Sequence, residues 1–89
     1  MKLNNAEAKY SPRKKENWVS FKDWAVLHNF WPEEINGTGS FQEAADLLNN
    51  RKTDDENAKE YYENLYELLL AVEKLYINMR KVDATLDSK

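Results

Sequence analysis

The sequence predicts an all-α fold: two short helices packed on one long C-terminal helix, a three-helix bundle expected to work as a dimer. Three observations carry this expectation. Apolar residues recur at three- and four-residue steps in three segments, the spacing that gathers them on one helical face. Capping-box patterns stand where the second and third segments open. With two glycines and two prolines in 89 residues, the chain has few breakers, which suits helices joined by short connections.

Residues 1–16 lack this periodicity, and Leu3 and Tyr10 are their sizeable apolar groups. They carry Lys2, Lys9, Arg13, Lys14 and Lys15 against Glu7 and Glu16, a net of +3 in a chain of net charge −3. The remainder therefore carries −6. The expected organisation is a flexible basic arm over 1–16, one helical domain over 17–84 and a frayed tail over 85–89.

The first helix is expected to open at Ser20, with Asp23 in its first turn and Val19 stapled against Trp24. Phe21, Trp24, Ala25, Leu27, His28 and Trp31 follow at helical steps. Pro32 pushes Trp31 out of the helical region, so the helix ends near Asn29 or Phe30. Pro32-Glu33-Glu34 then suits one short further turn. Asn36-Gly37-Thr38-Gly39 reads as a loop. Ser40-Phe41-Gln42-Glu43 is a full capping box, and Phe41, Ala44, Ala45, Leu47 and Leu48 form the apolar face behind it. Thr53-Asp54-Asp55-Glu56 is a second box, opening the third helix. Ser20–Asn29 and Ser40–Asn49 share serine, phenylalanine, alanine, leucine and asparagine at an offset of 20. Capping and helical periodicity account for most of that match without a duplication.

In the long helix Ala58, Leu65, Val72 and Met79 fall at heptad position a, and Tyr61, Leu68, Leu75 and Val82 at position d. Tyr62, Leu69 and Tyr76 at e widen this seam. Tyr66, Leu70 and Ile77 lie beyond it, so between Leu65 and Ile77 the helix is apolar nearly all round. About 30 residues make a rod of roughly 45 Å, against roughly 15 Å for each short helix. The short helices are too short to cover both faces. Tyr66, Leu70 and Ile77 are therefore the expected contacts with a second copy or a protein partner, with Trp31 and Trp18 as further partner anchors. Phe21 and Trp24 are assigned to the core.

Composition narrows the chemistry. A chain this small buries only roughly 60–65% of its unfolded surface and often needs outside support. Without cysteine it has no disulfide or thiolate metal site, and its one histidine, His28, cannot form a zinc cluster. The absence of cysteine fits the cytoplasm. No run approaches the roughly 20 apolar residues of a membrane span, and Met1–Tyr10 lacks a signal-peptide core. Gly37-Thr38-Gly39 is too short for a phosphate loop and has no following lysine. Ser20 and Asp23 are near His28 in sequence, as a histidine mechanism would need, but Ser20 stands about two helical turns away. Glu33-Glu34 and Asp54-Asp55-Glu56 read as helix-opening acids rather than magnesium ligands.

No catalytic, cofactor, metal or small-molecule site is expected. The expected function is a non-enzymatic helical interaction module: a regulator, adaptor or inhibitor that self-associates through the long helix. One alternative is a nucleic-acid-associated regulator that contacts phosphates through Lys9, Arg13, Lys14 and Lys15. The carboxylates opening the third helix would repel DNA in a helix-turn-helix arrangement. The other is an acidic protein that blocks a nucleic-acid-binding partner through the mostly acidic stripe Glu56, Lys59, Glu60, Glu63 and Glu67.

Overall fold

The structure, a computed structural model, describes residues 9–50 and 54–87, with side chains described up to Asp83. The described residues form three helices: α1 (Lys15–Leu27), α2 (Phe41–Asn49) and α3 (Glu56–Asp87), with a 3-10 turn at Glu33–Ile35. Both short helices pack on α3, whose 32 residues account for most of the 54 Å long axis.

The N-terminal boundary differs from the sequence expectation. Helix α1 starts five residues before Ser20, which becomes an exposed mid-helix residue. Ser11 begins a turn in which the Lys14 N–H donates to the Ser11 carbonyl at 3.2 Å, with buried Pro12 inside it. Proline after serine presets this backbone. The Asn17 side-chain amide donates to the carbonyls of Lys9 (2.7 Å) and Ser11 (3.0 Å), tying the segment down. Residues 9–16 are thus docked structure rather than a free arm. Residues 1–8 lie outside those described.

The end of α1 meets the expectation through an unexpected device. Asn29 has φ 62°. Its N–H donates to the Val26 carbonyl at 3.1 Å, and the Phe30 N–H reaches back to the Ala25 carbonyl at 2.8 Å. This is a Schellman closure, with asparagine in the left-handed position that glycine usually takes. His28 caps the helix and packs on Trp24 with ring centres 5.1 Å apart.

Pro32 precedes the 3-10 turn as expected. In the following loop the Trp18 indole N–H donates to the Thr38 carbonyl at 3.2 Å, and the Thr38 hydroxyl donates to the Ile35 carbonyl at 2.7 Å. At α2, Ser40 Oγ accepts the Glu43 N–H at 3.1 Å, half of the expected box. The Glu43 carboxylate accepts from the Gly39 N–H, one residue before the usual partner. At α3 the carboxylate of Asp55 accepts the Asn57 N–H at 2.9 Å, and its carbonyl accepts the Lys59 N–H. Asp55 therefore fills the capping role expected of Thr53, a residue outside those described. Helical backbone continues to Asp87, past the expected end at Ala84; residues 88 and 89 lie outside the described residues.

The core gathers Trp18, Phe21 and Ala25 from α1, Ile35 from the turn, Phe41, Ala44, Ala45 and Leu48 from α2, and Leu69, Val72 and Tyr76 from α3. Aromatic edges meet faces across it: Phe21 and Tyr76 are 5.4 Å apart at 74°, and Trp18 and Phe41 are 6.4 Å apart at 89°. Fully burying a side chain such as Phe21 stabilises the fold by roughly 1.5–3 kcal/mol.

Burial raises the Tyr76 phenol above its ordinary value of 10.0, although Arg80 acts in the opposite direction. The folded chain then holds this proton more tightly than the unfolded chain does. Its contribution is intact below pH 10 and is lost as pH rises through and beyond that value. Tyr76→Phe is expected to leave the unfolding midpoint nearly unchanged at about pH 8 and to raise it at about pH 11. Equal alkaline losses in both proteins would contradict this assignment.

Candidate interaction surface

Each residue of a helix advances the side-chain direction by about 100°. On α3 the direction facing the core is that of Leu69 and Tyr76, flanked by Val72 and by half-buried Tyr62, Leu65, Tyr66 and Leu70. Position e is therefore at the centre of the buried face, and position d is rotated out of it. Tyr61, Leu68, Leu75 and Val82 form a line at seven-residue spacing, and Met79 lies beside it. All five are 40–53% exposed.

This corrects the expected placement of the open face. Tyr66 and Leu70 pack against the protein's own core, and Ile77 is half-buried. Tyr66 also lines a cleft of about 180 Å³ with Arg13, Phe41, Gln42, Ala45, Asp46 and Asn49. Trp18, expected as a partner anchor, is 2% exposed. Trp31 is half-buried, with its ring 5.4 Å from that of Trp18 and its indole N–H donating to Asn36 Oδ1 at 2.7 Å. Trp24, expected in the core, is half-buried against it.

The basic residues Lys9, Arg13, Lys14 and Lys15 stand in different surroundings. Arg13 forms a two-pronged pair with Glu73, Nε to Oε2 at 2.6 Å and Nη2 to Oε1 at 3.0 Å. The Glu73 hydrogen bond raises the guanidinium further above its already high value, against a partial loss from burial. The guanidinium also lies 4.6 Å from the centre of the Phe41 ring. The pair clips the N-terminal segment onto α3. Lys9 lies over the Tyr10 ring, and Lys14 and Lys15 are exposed.

The surroundings of the open line are ordered by charge. One step round the helix, away from the core, stand exposed Asn64, Ala71 and Asn78. The next column holds Glu60 and Glu67 towards the N-terminus and Lys74 and Lys81 towards the C-terminus. Glu60, Glu67 and Lys74 are exposed, and Lys81 is half-buried. At the N-terminal end, the Tyr61 hydroxyl donates to the Glu34 carboxylate on the 3-10 turn, and this bond raises the Tyr61 phenol above 10.0.

Among the described residues, no group of three acidic or histidine side chains could hold a metal ion, and no helix is long and apolar enough to cross a membrane. Compared with family models, curated proteins and solved structures, this chain finds no match. The heptad column was missed as an open face because positions a, d and e are all apolar, with tyrosine at both d (Tyr61) and e (Tyr62, Tyr76).

Proposed function

We propose that this protein is a non-enzymatic helical interaction module whose partner is a second copy of itself, held through the open flank of α3. The observation that carries the reading is the line Tyr61–Leu68–Leu75–Val82, left exposed at heptad spacing while the short helices occupy the adjacent face. From Tyr61 to Val82 the line is roughly 31 Å long. Two such lines facing one another form the seam of a two-helix pair, with side chains packing in alternating layers. Scattered apolar side chains on a surface are ordinary, but a periodic row of them is not scattered.

The second copy is favoured over an unrelated chain because the flanking column is self-complementary in sign, acidic in one half and basic in the other. A small regulator or adaptor that doubles its binding surface by pairing is the role this supports.

Sedimentation velocity over a concentration series tests the reading. The 10.5 kDa chain is expected to run as a dimer at roughly 100 µM and to dissociate in the micromolar range. Leu68→Glu with Leu75→Glu is expected to yield a monomer at every concentration, with helicity retained because glutamate is a good helix former. A natural chain that stays monomeric at roughly 100 µM would remove the proposal.

A further inference from the structure

We infer that the two copies pair antiparallel, with the two-fold axis passing beside Ala71. The inference rests on the self-association proposed above and adds to it an orientation and a register.

An antiparallel pair about Ala71 brings together residues whose numbers sum to about twice 71. Leu68 then lies beside the partner's Leu75, and Tyr61 beside the partner's Val82, so the apolar row faces itself end for end. Asn64 meets the partner's Asn78, an amide pair able to donate and accept in both directions. Glu67 meets the partner's Lys74, and Glu60 meets the partner's Lys81. Each contact occurs twice by symmetry. Apolar row, amide column and charge column all select the same axis, although they lie on three successive strips of the helix.

Ala71 supports the assignment through its size. The residue on a two-fold axis meets its own copy, and a methyl group lets the two backbones approach to the near end of the roughly 8–10 Å range of packed helices. Its neighbours in the same column are asparagines, and the row beside it is leucine, tyrosine and valine. A parallel pair has none of this consistency. Its two-fold axis would run along the helices, so with the Ala71 column at the seam the apolar row of each copy would face the charged column of the other.

The chain contains no cysteine, so introduced thiols report proximity directly. Under mild oxidation Ala71→Cys is expected to form a covalent dimer. Tyr61→Cys alone is expected to remain uncrosslinked, whereas Tyr61→Cys mixed with Val82→Cys is expected to give a linked heterodimer, since a disulfide tolerates Cα separations of only about 4.4–6.8 Å. Glu67→Lys or Lys74→Glu alone is expected to weaken dimerisation about tenfold, two altered ion pairs acting together. The double charge swap Glu67→Lys with Lys74→Glu is expected to restore affinity to within about twofold. A dimer in which Tyr61→Cys links to itself, or in which the double swap fails to recover, overturns the antiparallel register and leaves self-association standing. A chain that is monomeric throughout overturns both.

Discussion

Trp18→Ala is expected to destabilise the fold by about 3–5 kcal/mol, enough to leave much of the population unfolded at physiological temperature. The side chain is 2% exposed and meets the rings of Phe21, Trp31 and Phe41. Truncation removes those contacts, opens a cavity between α1 and α2, and takes the indole N–H from the Thr38 carbonyl. A domain of this size is held by roughly 0.05–0.15 kcal/mol per residue, so the loss is a large part of the total. Trp18→Phe keeps most of the ring contact and is expected to cost less than half as much, which separates cavity from hydrogen bond. Urea unfolding followed by far-ultraviolet circular dichroism measures both. If Trp18→Ala shifted stability by less than about 0.5 kcal/mol yet weakened capture of a partner, the residue would be a contact group and not a core one.

The reason this tryptophan is hard to place from sequence is the start of α1. With the helix opening at Ser20, Trp18 falls outside it and reads as an edge residue. With the helix opening at Lys15, Trp18, Phe21 and Ala25 fall on one face, and all three are buried. The deciding signal is Ser11-Pro12, a turn pair that looks unremarkable within a basic stretch. The fold class was legible because periodicity is local: each helix announces itself within about ten residues. Ser40 and Glu43 similarly show that a cap read from four residues reappears in the structure with one partner displaced. What depends on distant partners was not legible, such as the Arg13–Glu73 clip across 60 residues.

The face of α3 that packs inward belongs to the same class of problem. Apolar residues cover so much of its circumference that the pattern alone does not say which arc receives α1 and α2. The helix has aromatic side chains at both d and e, and the choice falls to e because Tyr76 fits between Phe21 and Trp24, each 5.4 Å away. Geometry of the whole core selects that fit. The consequence for function is direct. The expected interface at Tyr66 and Leu70 becomes an inner flank, and the row expected to be the inner seam becomes the open surface.

Neighbouring leucines turn this rotation into a large and opposite pair of effects. Leu69 is 2% exposed at the centre of the buried face, and Leu68 is 40% exposed one step away. Leu69→Ala is expected to cost about 2–5 kcal/mol through lost burial and the cavity left behind. Leu68→Ala is expected to cost under about 1 kcal/mol when measured on the dilute monomer, since much of that side chain is already in water. At high concentration the order of sensitivity changes, because association adds stability to the natural chain by mass action and Leu68→Ala loses that increment. Unfolding midpoints recorded at two concentrations distinguish the contributions. Equal losses for the two variants in the dilute regime would mean that position d is packed inside as firmly as position e. The open row would then close, taking with it the surface on which pairing depends.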